Sequence, residues 1–237
     1  MSARTRIPAE PADRGRPSMS TDRIMAAALQ IVDAEGSQAL TMRRLGQALD
    51  RTVMTLYRYV PGKDALLDGV VALVLTGLAI NPAAADWRQE LRDLATSFRG
   101  LALAHPNAVP LLVTRQLTSP LGQRPPATLR PLEDFLELLI RAGFSPADAL
   151  HAYRLFFGFL HGHVLDELQD LIDNPDEAED LLRLGLHRLP RREFPRIRAL
   201  APELASYDGA AHLQQGVEMM ITGLQSHFQP ARTSPTT

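Results

Sequence analysis

The sequence predicts an all-α fold, and three observations support this prediction. Apolar residues recur at intervals of three and four along most of the chain, strand-like alternation is absent, and capping residues stand at the expected ends of the periodic segments. The chain has 237 residues, 45 % of them hydrophobic, which is enough for one large or two modest cores. It contains no cysteine, which excludes disulfides and thiolate chemistry and fits a reducing compartment.

The amino-terminal end of the chain predicts a disordered arm followed by a first helix. Residues 1–20 are rich in Pro, Arg and Ser and show no apolar period. The next segment repeats apolar residues at helical spacing, with Ser20 or Thr21 as the N-cap and Gly36 at the left-handed position that ends it. The buried face of this helix is predicted to consist of Ile24, Ala27, Ala28, Ile31 and Val32.

Two further short helices and a long one should follow in quick succession. Thr41 caps a second helix, and Thr52 caps a third that reaches about Tyr59. A long apolar fourth helix is predicted from Lys63 to about Leu78. Two helices joined by a tight turn form a helix-turn-helix, in which the second helix typically enters the major groove of DNA.

Charge is distributed as a DNA-binding unit would require. The segment Met1–Lys63 contains ten basic and six acidic residues, a balance of +4, although the formal net charge of the whole chain is -2. The positive balance is therefore confined to the part of the chain that holds the short helices, and only this part suits a polyanion.

The third helix can bury only one of its faces. Leu56 and Val60 form its best inward pair, which leaves mainly polar side chains near solvent. Hydroxyl groups and a guanidinium can bind phosphates there, and threonine methyls can contact thymine. The pattern alone also allows the two tyrosines to pack against the first helix. The residues left near solvent are Thr52, Thr55, Tyr57, Arg58 and Tyr59.

The stretch LTMRRLGQALDRTVMTLYRYVPGKDALLDGV, residues 40–70, resembles the DNA-binding domain of the tetracycline-repressor family. The resemblance implies that Tyr57 and Lys63 contact DNA phosphates, that Tyr59 lies near the DNA backbone and that Arg43 reaches a base. The predicted DNA-binding residues are Thr41, Arg43, Arg44, Thr52, Val53, Thr55, Tyr57, Arg58, Tyr59 and Lys63.

Three positions in this stretch depart from the family's pattern. Gly46 replaces the usual alanine, Asp50 stands where a turn glycine is usual, and Arg51 replaces an apolar turn residue. Aspartate tolerates a left-handed φ at modest cost. We therefore expect the turn to form, with altered packing around it.

The rest of the chain predicts a larger helical domain and a short tail. Helices are expected from Trp87 to about His105, Thr128 to Ala142, Ser145 to about Leu171 and Ala210 to Phe228, with short segments around Leu111 and Arg115. The predicted division is an arm at residues 1–20, a DNA-binding domain at 21–66, a ligand-binding and dimerisation domain at 67–228, and a disordered tail at 229–237.

This larger part resembles the family's C-terminal domain, although less sharply. The stretches DWRQELRDLATSFRGLALAHP, GFSPADAL, HGHVLDE and HLQQGVEMMITGLQSHF occur in the family's order. The resemblance implies a homodimer held by a four-helix bundle. The last two long helices carry more apolar surface than one core face needs, which suggests a partner, although a buried central helix explains the pattern equally well. The predicted interface residues are Phe156, Leu160, Val164, Met219, Met220 and Leu224.

The resemblance also implies a ligand pocket, but the drug-binding chemistry of the tetracycline repressors is mostly replaced. Leu94 and Leu111 stand where that chemistry needs an amide and a metal-binding histidine, and Ala79 or a neighbour replaces another histidine. We therefore expect no cofactor and no magnesium, and a hydrophobic small molecule whose polar groups meet Thr114 and Arg115. A closed apolar core is the alternative. The predicted lining is Leu94, Phe98, Leu101, Leu111, Leu112, Thr114, Arg115, Phe157 and His161.

Two groups of potential metal ligands are interpreted as structural rather than as metal sites. His163 and Glu167 have the i, i+4 spacing of a chelating pair, but no third histidine has a suitable spacing, so a polar pair on an exposed helix face is the simpler interpretation. The acidic run DNPDEAED, residues 173–180, lacks the glycine and terminal glutamate of a calcium loop, so we expect a solvated loop.

Together these features predict a cytoplasmic, ligand-responsive regulator, most simply a repressor that a hydrophobic small molecule releases from a palindromic DNA operator. No early apolar run suggests a signal peptide, and no apolar stretch of about 18 residues suggests a membrane span. Two alternatives stay open. One is a helical dimer that has lost specific DNA binding, and the other is an all-α enzyme, although no phosphate-binding loop, GxSxG or HExxH motif favours it.

Overall fold

The computed structural model describes residues 18–118, 121–172, 184–205 and 208–227, and this part of the chain is helical and contains no strand. The predicted all-α fold is therefore confirmed. The amino-terminal helices are α1 (Thr21–Glu35), α2 (Met42–Leu49), α3 (Val53–Tyr57) and α4 (Lys63–Leu75). The later helices are α5 (Trp87–Ala104), α6 (Val109–Thr118), α7 (Pro126–Arg141), α8 (Pro146–Ile172), α9 (Pro195–Ala199), α10 (Ala201–Ala205) and α11 (Gly209–His227).

Side-chain caps begin the first three helices as the sequence predicts. The hydroxyls of Ser20, Thr41 and Thr52 each accept a hydrogen bond from the backbone N–H three residues later, at 3.2, 3.0 and 3.3 Å. Each bond satisfies one of the backbone donors that the first turn of a helix leaves without a partner. Gly36 follows α1 with a φ of 80°, the left-handed region in which glycine is favoured.

The turn between α2 and α3 accounts for two of the departures from the family's pattern. Asp50 adopts φ 51° and ψ 52°, so it takes the left-handed conformation that a glycine usually supplies. The N–H of Arg51 donates to the carbonyl oxygen of Gly46 at 2.9 Å. A Cβ atom on Gly46 would lie 2.8 Å from the carbonyl oxygen of Arg51. This version of the turn therefore requires a residue without a side chain at position 46.

One helix belongs to both halves of the molecule. α4 packs on α1 in the amino-terminal part and on α6 and α7 in the carboxy-terminal part. Within the amino-terminal part, Leu56 and Val60 are buried, as the predicted inward pair of the third helix requires. In the other part, α8 packs on α5, α6 and α7, and α11 packs on α5 and α8. A movement within the larger helical part can therefore reach the short helices through α4.

The structure corrects several predicted helix boundaries. α3 ends at Tyr57, not Tyr59, because the N–H of Tyr59 donates to the carbonyl oxygen of Leu56 at 2.9 Å in a tighter turn. α4 ends at Leu75, three residues before the predicted Leu78. Residues 109–118 form one helix rather than short segments.

Some sequence-based predictions lie outside the described residues. The acidic run at 173–180, the tail at 229–237 and most of the arm at 1–20 belong to this group. Among the described residues, the structure contains no helix long and apolar enough to cross a bilayer.

Candidate DNA-binding surface and effector site

The exposed face of α3 and the residues around it form the predicted DNA-binding surface. Tyr57 keeps 48 % of its side chain exposed, and Tyr59 is also exposed, so neither tyrosine is packed away in the core. Thr52, Arg58 and Lys63 are exposed, while Val53 and Thr55 are half-buried. The hydroxyls of Thr52 and Thr55 lie 2.9 Å apart. The structure therefore leaves these predicted residues wholly or partly accessible to a partner.

Helix α2 contributes to this surface less evenly than the sequence predicts. Thr41, which caps the helix, and Arg43 in its first turn are exposed. Arg44, in contrast, pairs with Glu35 at the end of α1 through bonds of 2.5 and 3.1 Å. This hydrogen bonding lowers the pKa of the Glu35 carboxyl. Contact of Arg44 with DNA stays a prediction, and in this structure its guanidinium holds the Glu35 carboxylate.

Met54 is a candidate that the sequence analysis did not select. It lies on α3 with 75 % of its side chain exposed. A large apolar side chain on the accessible face of such a helix can contact a thymine methyl in the major groove. The sequence signal for Met54 was its place at the start of the third helix, one residue after Val53.

Arg115 does not line the interior but connects α6 to α4. Its guanidinium donates to Asp68 at 2.8 Å and to Asp64 at 3.0 Å, and it also reaches the backbone oxygen of Asp64 at 3.1 Å. Burial alone would lower the pKa of Arg115, but the hydrogen bonds with the two aspartates outweigh burial and raise the pKa. The prediction that Arg115 offers the polar end of the ligand pocket is therefore revised. Thr114 is exposed, and its hydroxyl donates to the oxygen of Pro110 at 2.7 Å.

A second connection joins the two halves next to the end of α5. His105 Nδ1 lies 3.0 Å from Asp33 Oδ2 near the end of α1, and the amide of Asn107 donates to the backbone oxygen of Asp33 at 2.8 Å. Together with Arg115, these contacts tie α1 and α4 to the segment that runs from the end of α5 into α6. Sequence spacing carries no signal for them, because the partners lie more than 70 residues apart.

The interior between α5, α7 and α8 holds a cluster of rings. Phe98 lies 6.2 Å from Phe157 and 5.5 Å from His161, measured between ring centroids, and Phe135 and Tyr153 extend the cluster at 5.8 and 4.7 Å from Phe157. The structure thus brings together the three ring residues of the predicted pocket lining. The remaining apolar lining residues are Leu94, Leu111 and Leu112, which are buried, and Leu101, which is half-buried.

His161 brings a polar nitrogen into this cluster. Its Nε2 atom is shut off from solvent and has no hydrogen-bond partner among the described residues. Burial lowers the pKa of its imidazole, so the ring is neutral at physiological pH. The surroundings of this nitrogen are mainly aromatic, and it can accept or donate a hydrogen bond according to the tautomer.

A cavity of about 390 Å³ lies between the end of α4 and the start of α7. It contains none of the predicted pocket-lining residues, but it does include Ala79. Its walls are Leu75, Thr76, Leu78, Ala79, Ile80, Ala127, Arg130, Pro131 and Asp134.

The predicted dimer surface on α8 needs a correction. Phe156, Leu160 and Val164 are at most 1 % exposed within a single chain, so they already belong to its core. Of the other predicted residues, Leu224 is buried and Met220 is half-buried. Met219, the remaining predicted residue, is exposed, and so is Leu155, which was not predicted. They lie on α8 and α11, the two helices that form an apolar groove of about 250 Å³. The groove is lined by His151, Ala152, Leu155, Phe156, Met220, Gly223, Leu224 and His227.

The pair formed by His163 and Glu167 is buried, not exposed as predicted. Glu167 binds Arg99 of α5 through bonds of 2.5, 2.9 and 3.1 Å, and His163 Nε2 lies 3.6 Å from the same carboxylate. The glutamate therefore neutralises an arginine between two helices. Among the described residues, no group of three potential ligands is placed to hold a metal ion.

A helix-turn-helix with an exposed recognition helix, sharing one helix with a larger helical domain, defines the class of helix-turn-helix transcriptional regulators. Residues 81–228 match the tetracyclin repressor-like C-terminal domain. The chain belongs to the tetracycline-repressor family.

Known proteins of this family resemble the chain over nearly its whole length. A helix-turn-helix-type transcriptional regulator of Saccharopolyspora erythraea is 28 % identical over 91 % of this chain and 88 % of that protein. The class C tetracycline repressor of Escherichia coli is 28 % identical over 87 % of this chain and 91 % of its own length. The crystal structure of the Streptomyces coelicolor family member ActR in complex with actinorhodin matches with a TM-score of 0.77 and 30 % identity, covering 89 % of this chain and 97 % of that one.

Proposed function

We propose that two copies of the chain bind a palindromic DNA operator and repress transcription until a hydrophobic small molecule releases them. The observation that carries this proposal is the union of an exposed recognition surface on α3 with a direct ionic connection from the larger helical part to α4. The recognition surface binds DNA. The ionic connection supplies a route by which effector binding in the larger part can change the affinity for DNA.

Recognition of DNA divides between phosphate and base contacts. Tyr57 and Lys63 are proposed to bind phosphates, which give affinity that depends on salt but not on sequence. Lys63 is also the first residue of α4, where backbone N–H groups favour an anion. Arg43, exposed on α2, is proposed to bind a guanine edge with two hydrogen bonds and so to discriminate between base pairs.

Dimerisation fixes the distance between two recognition helices. One helix-turn-helix covers only one half-site, so useful affinity needs a second copy at a fixed spacing. The exposed Leu155 and Met219 and the apolar groove between α8 and α11 support this face as the interface. The interface is proposed to be isologous, which matches the two-fold symmetry of a palindrome.

Release from DNA requires that the effector distinguish two arrangements of α4. A ligand shifts an equilibrium only by its difference in affinity for the two states. We propose that the effector enters beside the ring cluster of α5, α7 and α8, and that α6 transmits the change through Arg115 to Asp64 and Asp68. The crystal structure of ActR in complex with actinorhodin supports a small-molecule effector in this fold.

The proposal is tested by selecting bound duplexes from a random pool and measuring the mass of the resulting complex. We expect enrichment of a palindrome with two half-sites, bound by two chains. Arg141→Ala, which removes an exposed charge on α7 away from the short helices, serves as the control and should leave selection unchanged. Enrichment of no motif, or binding of one chain to a single half-site, would rule out the proposed operator complex.

A further inference from the structure

Arg115 and Thr114, which the sequence predicts as the polar end of the effector site, already form hydrogen bonds within the protein. Another residue must therefore supply the polar contact to the effector. Arg115 holds two aspartates of α4, and the Thr114 hydroxyl donates within its own helix. The charge of Arg115 is therefore largely neutralised by protein carboxylates. An anionic group on the effector could pair with this arginine only if the connection to α4 were broken.

His161 offers a different kind of anchor. Its Nε2 is buried among Phe98 and Phe157, with ring centroids 5.5 and 6.1 Å away, and it has no protein partner among the described residues. Buried polar atoms are paired in the great majority of cases, and the exceptions concentrate at sites with a function. The residue as a whole is half-buried rather than fully enclosed.

We propose that His161 is the specificity-determining residue of the effector site, and that the effector is a neutral aromatic molecule whose hydroxyl group hydrogen-bonds to its Nε2. The inference rests on the proposed function and names the chemical class of the ligand at that site. An aromatic ligand suits this site because aromatic rings pack edge to face with one another, as Phe98 and Phe157 do at 6.2 Å between ring centroids. A single hydroxyl then satisfies the nitrogen that the described part of the chain leaves without a partner.

Neutrality follows from the electrostatics of the same site. The ring of His161 is uncharged because burial opposes its protonation, so it attracts no anion. Moving an anionic group from water into such a cluster carries a large desolvation cost without a compensating cation. A hydroxyl carries a much smaller cost, and one hydrogen bond offsets most of it.

The test compares three naphthalene probes on the full-length protein. 2-Naphthol carries a hydroxyl, 2-methylnaphthalene replaces it with a methyl group of similar size, and 2-naphthalenesulfonate carries an anion. Binding is followed by probe fluorescence in wild type, His161→Leu and the control His187→Leu, whose histidine is exposed and lies outside the ring cluster and the groove. The readout is the ratio of the affinities for 2-naphthol and 2-methylnaphthalene, which cancels general changes in hydrophobicity.

We expect His161→Leu to lower this ratio by about tenfold, the effect of one lost hydrogen bond to a buried group. His187→Leu should leave the ratio unchanged, and the sulfonate should bind wild type more weakly than 2-naphthol. His161→Phe keeps a ring of similar size and gives the same readout if the leucine variant does not fold.

An unchanged ratio in both His161 variants would overturn the inference, and so would tightest binding of the sulfonate. Failure of all three probes to bind wild type would also overturn it. Operator binding is measured in parallel on the same samples. Loss of operator binding in wild type counts against the proposed regulator, whereas an unchanged ratio with intact operator binding counts against His161 alone.

Discussion

Removal of the Arg115 guanidinium should weaken the connection between α6 and α4. The solvent exposure of the three charged side chains indicates how much stability each ion pair contributes. Arg115→Met keeps the length and apolar stem of the side chain but removes its charge and donors. Arg115 is 20 % exposed, Asp68 is 29 % exposed and Asp64 is 88 % exposed. The bond to Asp64 lies close to the exposed limit, where pairs contribute about 0–1 kcal/mol. The bond to Asp68 is more sheltered and should contribute more.

We expect Arg115→Met to lower the free energy of unfolding by about 1–2 kcal/mol, between the values for exposed and fully buried pairs. A double-mutant cycle separates the two aspartates. The coupling energy of Arg115→Met with Asp68→Asn should be about 1 kcal/mol, and that with Asp64→Asn below about 0.5 kcal/mol. The cycle also cancels the separate effect of Asp64 on the positive end of the α4 dipole.

The assay is urea unfolding of the four proteins of each cycle, at one protein concentration because a dimer's stability depends on it. The same variants are then titrated with the selected operator. Arg115→Met should bind operator within about tenfold of wild type but respond less to an effector, because the signal no longer reaches α4. Equal coupling to both aspartates, or coupling to neither, would refute this account of the connection.

Three further predictions concern the turn, pH and the interface. Gly46→Ala restores the family's usual residue, yet it should destabilise the protein by about 1–3 kcal/mol, because the new Cβ meets the Arg51 carbonyl oxygen. An unchanged melting temperature in thermal unfolding would contradict the turn geometry. Burial lowers the pKa of His161 in the folded state, so the unfolded chain binds more protons below about pH 6.5. The free energy of unfolding should therefore fall with acidification, and it should fall less steeply in His161→Leu. Met219→Glu should yield monomers by light scattering, with Leu155→Ser as a milder variant; a surviving dimer would place the interface elsewhere.

Local features of the fold were readable from the sequence because they depend on neighbouring residues. Ser20, Thr41 and Thr52 cap their helices through bonds that span three residues, and apolar spacing placed Leu56 and Val60 inside. Each of these features is settled within about one turn of helix, where sequence spacing and spatial distance coincide.

Long-range pairing was not readable in the same way. Arg115 finds its partners 47 and 51 residues away, and Glu167 finds Arg99 at a separation of 68. Spacing within one helix could therefore not reveal that either charge was already matched. Nor could it tell which apolar face of α8 meets the chain's own core, because Leu155 and Phe156 are adjacent in sequence but only one is buried.

The central claim is specific recognition of DNA through the surface around α3, and one set of titrations tests it most directly. Wild type, Lys63→Ala, Arg43→Ala and the control Arg141→Ala are titrated with the selected operator, with single-base variants of it and with unrelated DNA, over a range of salt concentrations. We predict that Lys63→Ala weakens binding to every duplex and lowers the salt slope by about 1 per bound chain. Arg43→Ala should instead lose about 1–3 kcal/mol of discrimination at one base pair of each half-site. Equal affinity of the wild type for operator and unrelated DNA would contradict the claim.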